Sequence, residues 1–189
     1  MTEIESLTRT LIKTFGVKAL VPERALRILY DAGLYGECIR EIMIHFNIPL
    51  KLKVKCLPGS QSIERYLGKP ERSKDSPAMI EANTVDMVRQ GGHIEKVLLG
   101  ATMYVKKDSI LRSFEFFMFL ASHELSHLLM YSQNCPLADN EKATDILALV
   151  MGFRKIAQSG RVTRDMTNIY ILGYLNDDEF NYALSIIEG

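Results

Sequence analysis

A chain of 189 residues with 23 basic and 23 acidic side chains carries a formal net charge of zero, which gives no global support to a polyanion-binding role. Hydrophobic residues make up 47% and charged ones 24%, close to the globular average, and this excludes disorder as the main state. The three cysteines, Cys38, Cys56 and Cys135, are odd in number and form no CxxC pair, which argues against a disulfide framework or a cysteine-rich zinc module and for a reducing compartment.

In chain order, the first ten residues lack a basic stretch followed by an apolar run, so no secretory signal is expected. No apolar span reaches the roughly 18 residues that cross a bilayer. The expectation is a soluble, cytoplasmic protein with no membrane or nucleic-acid partner. Leu7, Leu11, Ile12 and Phe15 recur at helical spacing. Pro22 suits the first position of a second helix carrying Ala25, Leu26 and Leu29, and a third helix is predicted over 37–46. Leu50, Leu52, Val54 and Cys56 then alternate with Lys51, Lys53 and Lys55, the period of a half-buried strand whose lysines form the solvent side of a sheet edge. Residues 58–77 read as an exposed loop, and strands are predicted over 78–82 and 97–105 with a Gly91-Gly92 turn between them. Two long apolar segments, 110–131 and 141–158, exceed strand length and read as helices. A terminal helix over 177–187 starts at an Asn176/Asp177 cap. The class is α+β: a helical N-terminal part over 1–48 and a core over 49–189, with a small mixed or antiparallel sheet, together one compact domain.

Chemistry concentrates in His123-Glu124-Leu125-Ser126-His127, an HExxH motif on the first long helix. At about 100° per residue, His127 falls near 40° and Glu124 near 100° from His123, so all three project from one side. Two imidazoles one turn apart can share a zinc ion, and the adjacent carboxylate then stands beside the water that completes its coordination. Phe116, Leu120 and Tyr131 share that stripe, so the polar trio interrupts an apolar face. Burying it without partners would cost several kcal/mol (~2–7 per group), and a metal is the economical partner.

The third ligand has several candidates. Residues 128–133 hold neither Gly nor His, which removes the metzincin arrangement, and His45 and His93 lie far upstream. Glu141 and Asp145 stand one turn apart at the start of the next helix, where Glu141 can reach the metal while Asp145 fixes a ligand imidazole. Asp139 is a rival, although beside Asn140 it suits a helix cap. Cys135 precedes Pro136 in a loop and reads as an inert, partly exposed thiol. Tyr170, Tyr174 and Arg154 are hydrogen-bond donors with ordinary structural uses, and none is assigned a role in stabilising an oxyanion.

HExxH followed on a second helix by an ExxxD element resembles the gluzincin metallopeptidases. The resemblance implies a zincin-like fold in which His123, His127 and Glu141 bind zinc, Glu124 is the general base, and Asp145 accepts the outer N–H of His123. Within that group the layout over about 97–152 is most similar to the ImmA/IrrE-type family: a strand ending Met103-Tyr104-Val105, a charged turn, a Phe-rich helix start, then Ala121-Ser122 before the motif and Leu128-Leu129 after it. Those relatives commonly carry Ala where Ser122 stands and Gly where Ser126 stands. The function implied is zinc-dependent hydrolysis of a peptide or protein substrate, for which a repressor-like protein is one possibility, with the edge of the 97–105 strand pairing with an extended peptide. Two alternatives remain open: a regulatory or binding module whose metal is closed off by a fourth ligand such as Cys135 or His93, and a phage or toxin-antitoxin regulator acting on one partner.

Overall fold

The hydroxyl of Thr2 accepts the N–H of Glu5 at 3.2 Å and opens α1 (Glu3–Phe15), which buries Ile4, Leu7 and Leu11. This computed structural model describes residues 2–67, 76–88, 94–164 and 169–189. Pro22 takes the N-cap position with ψ of 73°, so α2 (Glu23–Asp31) begins one residue later than expected. α3 (Tyr35–Phe46) ends at Asn47, which adopts the left-handed conformation at φ 56°. Ile39 and Ile42 of α3 and Leu11 of α1 join one hydrophobic core with Phe117, Phe153 and Leu184.

The sheet is mixed and has the order β1-β3-β2. β1 (Lys51–Leu57) runs parallel to β3 (Ile94–Lys106), and β2 (Ala78–Val88) pairs antiparallel with β3. Lys51, Lys53 and Lys55 are exposed on the outer strand, as read. Cys56, expected on the buried side, is exposed instead, because Leu57 turns inward to pack with Ile63 and Tyr104 in a small separate cluster. β2 and β3 extend beyond the stretches that alternation marks, since ladder hydrogen bonds continue past the register shift at Asn83/Thr84 whatever the side chains are. The Gly91-Gly92 turn and His93 lie outside the described residues. Within the expected 58–77 loop, Ser62 caps a short helix, α4 (Ile63–Tyr66).

The expected helix over 110–131 is two helices. Ser113 is extended (φ −162°, ψ 161°), and its hydroxyl accepts the N–H of Phe116 at 3.0 Å, separating α5 (Lys107–Arg112) from α6 (Phe114–Ser132). An N-cap bond outcompetes helix continuation at a residue with weak interior propensity. The expected helix over 141–158 also breaks: α7 (Glu141–Ala148) passes through a π-type turn at Leu149–Phe153 into α8 (Arg154–Gly160). Gly152 stands at φ 99°, and a Cβ there would lie 2.1 Å from the carbonyl oxygen of Ala19. Close backbone approach therefore requires glycine at this position.

A two-stranded hairpin, β4 (Val162–Arg164) with β5 (Ile169–Ile171), was not foreseen, its strands being too short for a periodic signal. The chain closes with α9 (Asp177–Glu188), opened by a reciprocal capping box between Asn176 and Glu179. α6 is the central helix, apolar on nearly every side and buried from Phe114 to Met130 except at a few positions. No helix among the described residues is long and apolar enough to cross a membrane.

Candidate metal centre

Helical spacing stacks His123 and His127 on one face of α6, their rings 5.1 Å apart between centroids. The Nδ1 of each ring has a fixed partner: Asp145 Oδ1 at 2.8 Å for His123, and the carbonyl oxygen of Ala138 at 2.8 Å for His127. With those atoms engaged as donors, the Nε2 atoms are the free ligating nitrogens. Both approach Glu141 Oε2, at 3.3 Å from His123 and 3.2 Å from His127. One ligand atom from each of the three residues lies within 4.8 Å of the other two. Donors about 2.1 Å from a tetrahedral metal lie ~3.4 Å from each other, so the donor set and its spacing fit zinc.

The elements that deliver these groups follow from local chemistry. Asn134 at φ 51° reverses the chain after α6, and the loop returns to Asn140, whose side chain accepts the N–H of Ala143 at 2.9 Å and starts α7 with Glu141 in its first turn. The cap is thus Asn140; Asp139, the rival ligand, instead accepts the phenolic O–H of Tyr131. One turn after Glu141, Asp145 is 2% exposed, and its Oδ2 accepts the backbone N–H groups of Tyr174 at 2.5 Å and Leu175 at 3.2 Å. Gly173, at φ 95°, lets the chain pass: a Cβ there would stand 2.7 Å from Asp145 Oδ2. The Tyr174 ring stacks on His123, 5.9 Å between centroids.

Glu124 is buried beside the histidines. Burial raises its pKa, and the two imidazoles and a hydrogen bond from the Ile80 backbone N–H offset only part of that rise. Burial alone would lower the pKa of His123, but its bonds to Asp145 and Glu141 outweigh this and raise it to about 10. Glu141 is likewise pushed up by burial and pulled further down by the two histidines, ending well below the usual carboxylate range. Without a cation between them, His123 holds a proton against the Glu141 carboxylate, and a divalent ion would take that proton's place. Ser122 and Ser126, on the underside of α6, are buried and donate to the helix carbonyls of Phe119 and Ser122, both at 2.8 Å. The apolar interior therefore accepts hydroxyls at both positions.

The cluster forms one wall of a cleft of about 1270 Å³. Phe116, Leu120, His123, Glu124, His127 and Tyr131 of α6 face it, so the stripe read from the sequence turns to the cavity. Ala78, Met79 and Ile80 of β2 also line it, as do Ile169 to Ile171 of β5 and Leu172 to Tyr174 just after that strand. The expected strand edge on 97–105 is corrected: β3 has partners on both sides, and of the two outer strands β2 is the one that lines the cleft. The N–H of Lys106 reaches the carbonyl of Pro77 at 3.1 Å on the inner side, while the N–H of Ile80 points outward to Glu124. Arg154 lies elsewhere, donating to the carbonyls of Leu149 and Lys18. Cys135 packs partly buried against the core, outside the metal-compatible cluster.

Sequence reasoning missed the Ala138 carbonyl and the Tyr174 and Leu175 amides, which are backbone groups without a residue signature. Gly173 is the one local sign of the close approach. Comparison of the chain with family models, with curated proteins and with solved structures finds no match.

Proposed function

We propose that the chain is a zinc-dependent metallopeptidase of gluzincin type with a zincin-like fold. The observation that carries the reading is the convergence of His123 Nε2, His127 Nε2 and Glu141 Oε2, with both Nδ1 atoms already bonded and Glu124 beside them at the cleft wall. A zinc ion held by His123, His127 and Glu141 supplies Lewis acidity that polarises a carbonyl and acidifies water. Asp145 keeps the His123 proton on Nδ1, leaving Nε2 as a lone-pair donor. Glu124, whose carboxylate burial makes more basic, takes a proton from attacking water and delivers it to the departing amine. An extended peptide lying along the β2 edge would reach outward backbone groups such as those near Ile80, so main-chain pairing provides affinity and the cleft walls provide selectivity.

The test compares wild type with Glu124→Gln on a diverse peptide library, reading new N-termini by mass spectrometry alongside zinc content. Glu124 is no ligand in this reading, so the variant retains metal and fold but loses cleavage. Cleavage persisting in the variant removes Glu124 as the base; cleavage by neither protein removes the peptidase reading.

A further inference from the structure

Among the described residues only two buried side-chain polar atoms have no hydrogen-bond partner, Arg112 Nε and Thr163 Oγ1. Both residues line one recess of about 500 Å³, which Ser113, Ser159 and Arg164 also line. Arg112 and Asp108 border this recess and the main cleft alike, so the two spaces meet at them. Natural interiors rarely leave a buried donor unsatisfied. Arg112 itself also lines the main cleft, which puts a guanidinium-bearing side chain at the cleft wall.

Arg112 is also positioned. Its guanidinium carbon lies 3.2 Å from the ring centroid of Tyr170 on β5 and 5.3 Å from that of Phe116 on α6. Stacking on aromatic rings fixes the plane of the fork and leaves its edge for in-plane hydrogen bonds, the geometry that matches a carboxylate. Neighbouring acids do not neutralise it: Glu115 is held by Arg27 at 2.5 Å, and Asp108 forms no ion pair with Arg112. Phe116 precedes His123 by seven residues, about 10 Å along the helix axis. An extended peptide rises about 3.3 Å per residue, so the guanidinium stands roughly three residues from a carbonyl at the histidines.

We propose that Arg112 is a specificity-determining residue that anchors a substrate carboxylate, from an acidic side chain or a chain terminus, about three residues from the scissile bond. The inference rests on the peptidase reading for the role of the cleft, and binding tests it separately from cleavage. The probes are four random decapeptide libraries, with or without Asp and Glu and each with a free or amidated C-terminus. They are captured on immobilised zinc-supplemented Glu124→Gln, and on the same protein carrying Arg112→Met or Arg112→Lys. The expected result is retention of carboxylate-bearing peptides about 10- to 100-fold above their neutral counterparts, the range for losing a hydrogen-bonded charge partner. That preference should vanish in Arg112→Met and weaken in Arg112→Lys, which keeps charge without the fork. Dependence on Asp and Glu identifies a side-chain carboxylate, and dependence on the free terminus identifies a terminal one. Circular dichroism and the retention of neutral peptides report folding of each variant. Equal retention of acidic and neutral libraries, equal loss of both in the variants, or no retention at all overturns the proposal. A carboxylate preference that depends on Arg112, in a protein whose wild type cuts nothing, would keep the anchor and defeat the peptidase reading.

Discussion

Replacing Asp145 by Asn changes one atom and leaves the volume the same, yet it forces a conflict at the imidazole. The native carboxylate accepts from three donors, His123 Nδ1 at 2.8 Å and the amides of Tyr174 at 2.5 Å and Leu175 at 3.2 Å. An amide has one acceptor end. If that end faces the two backbone N–H groups, its NH2 faces Nδ1, makes Nδ1 an acceptor and moves the imidazole proton to Nε2, where it blocks a metal. If the amide is reversed, two buried backbone donors face an NH2, at about 1–3 kcal/mol for each group left unmade. Either arrangement costs roughly 10- to 100-fold in metal affinity, the usual loss for such a partner. The assay is zinc competition against a chromophoric chelator for wild type, Asp145→Asn and Glu141→Gln. Glu141→Gln should lose more, since it removes a ligand oxygen's charge. Unchanged zinc affinity in both variants would refute the reasoning and put the third ligand on another segment.

Elemental analysis of zinc-supplemented protein should find close to one zinc per chain, with X-ray absorption showing two nitrogens and carboxylate oxygen in its shell. Gly173→Ala should both destabilise the fold by about 1–3 kcal/mol and weaken metal binding, because its Cβ would press on Asp145 Oδ2 at 2.7 Å; a melting temperature equal to wild type counts against the close approach. Ser113→Ala should lower stability by about 1 kcal/mol, the value of a lost N-cap, measured by urea denaturation. The Cys38 thiol, fully buried, has its pKa raised to about 11 by burial. The folded state therefore prefers the protonated form, and the stability it contributes is intact below the ordinary thiol pKa and declines as pH rises from there through about 11. A chromogenic disulfide reagent at mild pH should titrate Cys56, which is exposed, and reach Cys38 only after unfolding.

Residues 123, 127, 141 and 145 were legible because helical periodicity is local: spacing alone puts the first pair on one face and the second pair on another. The class was legible for the same reason, with Lys51, Lys53 and Lys55 marking an edge strand correctly. What escaped was decided by non-local or backbone contacts. Apolar composition continues through Ser113, so the run hid a capped break. Gly152 signalled its turn only through the approach of Ala19, distant in sequence. Which strand presents a free edge to the cleft depends on the order β1-β3-β2, and no single strand's pattern encodes order. Arg112 showed no sign at all, since its environment is assembled from α5, α6 and β5.

The attachment of Asp145 to the amides of Tyr174 and Leu175 has a consequence for biosynthesis. Both histidines and Glu141 leave the ribosome well before the segment that steadies one of them. Until residues 173–175 arrive, Asp145 can turn freely and His123 can adopt either tautomer, so an early ion would meet a loose, low-affinity trio. Under the proposed metallopeptidase reading, secure loading of metal is thereby deferred until the C-terminal segment has docked, which would tie acquisition of the ion to completion of folding.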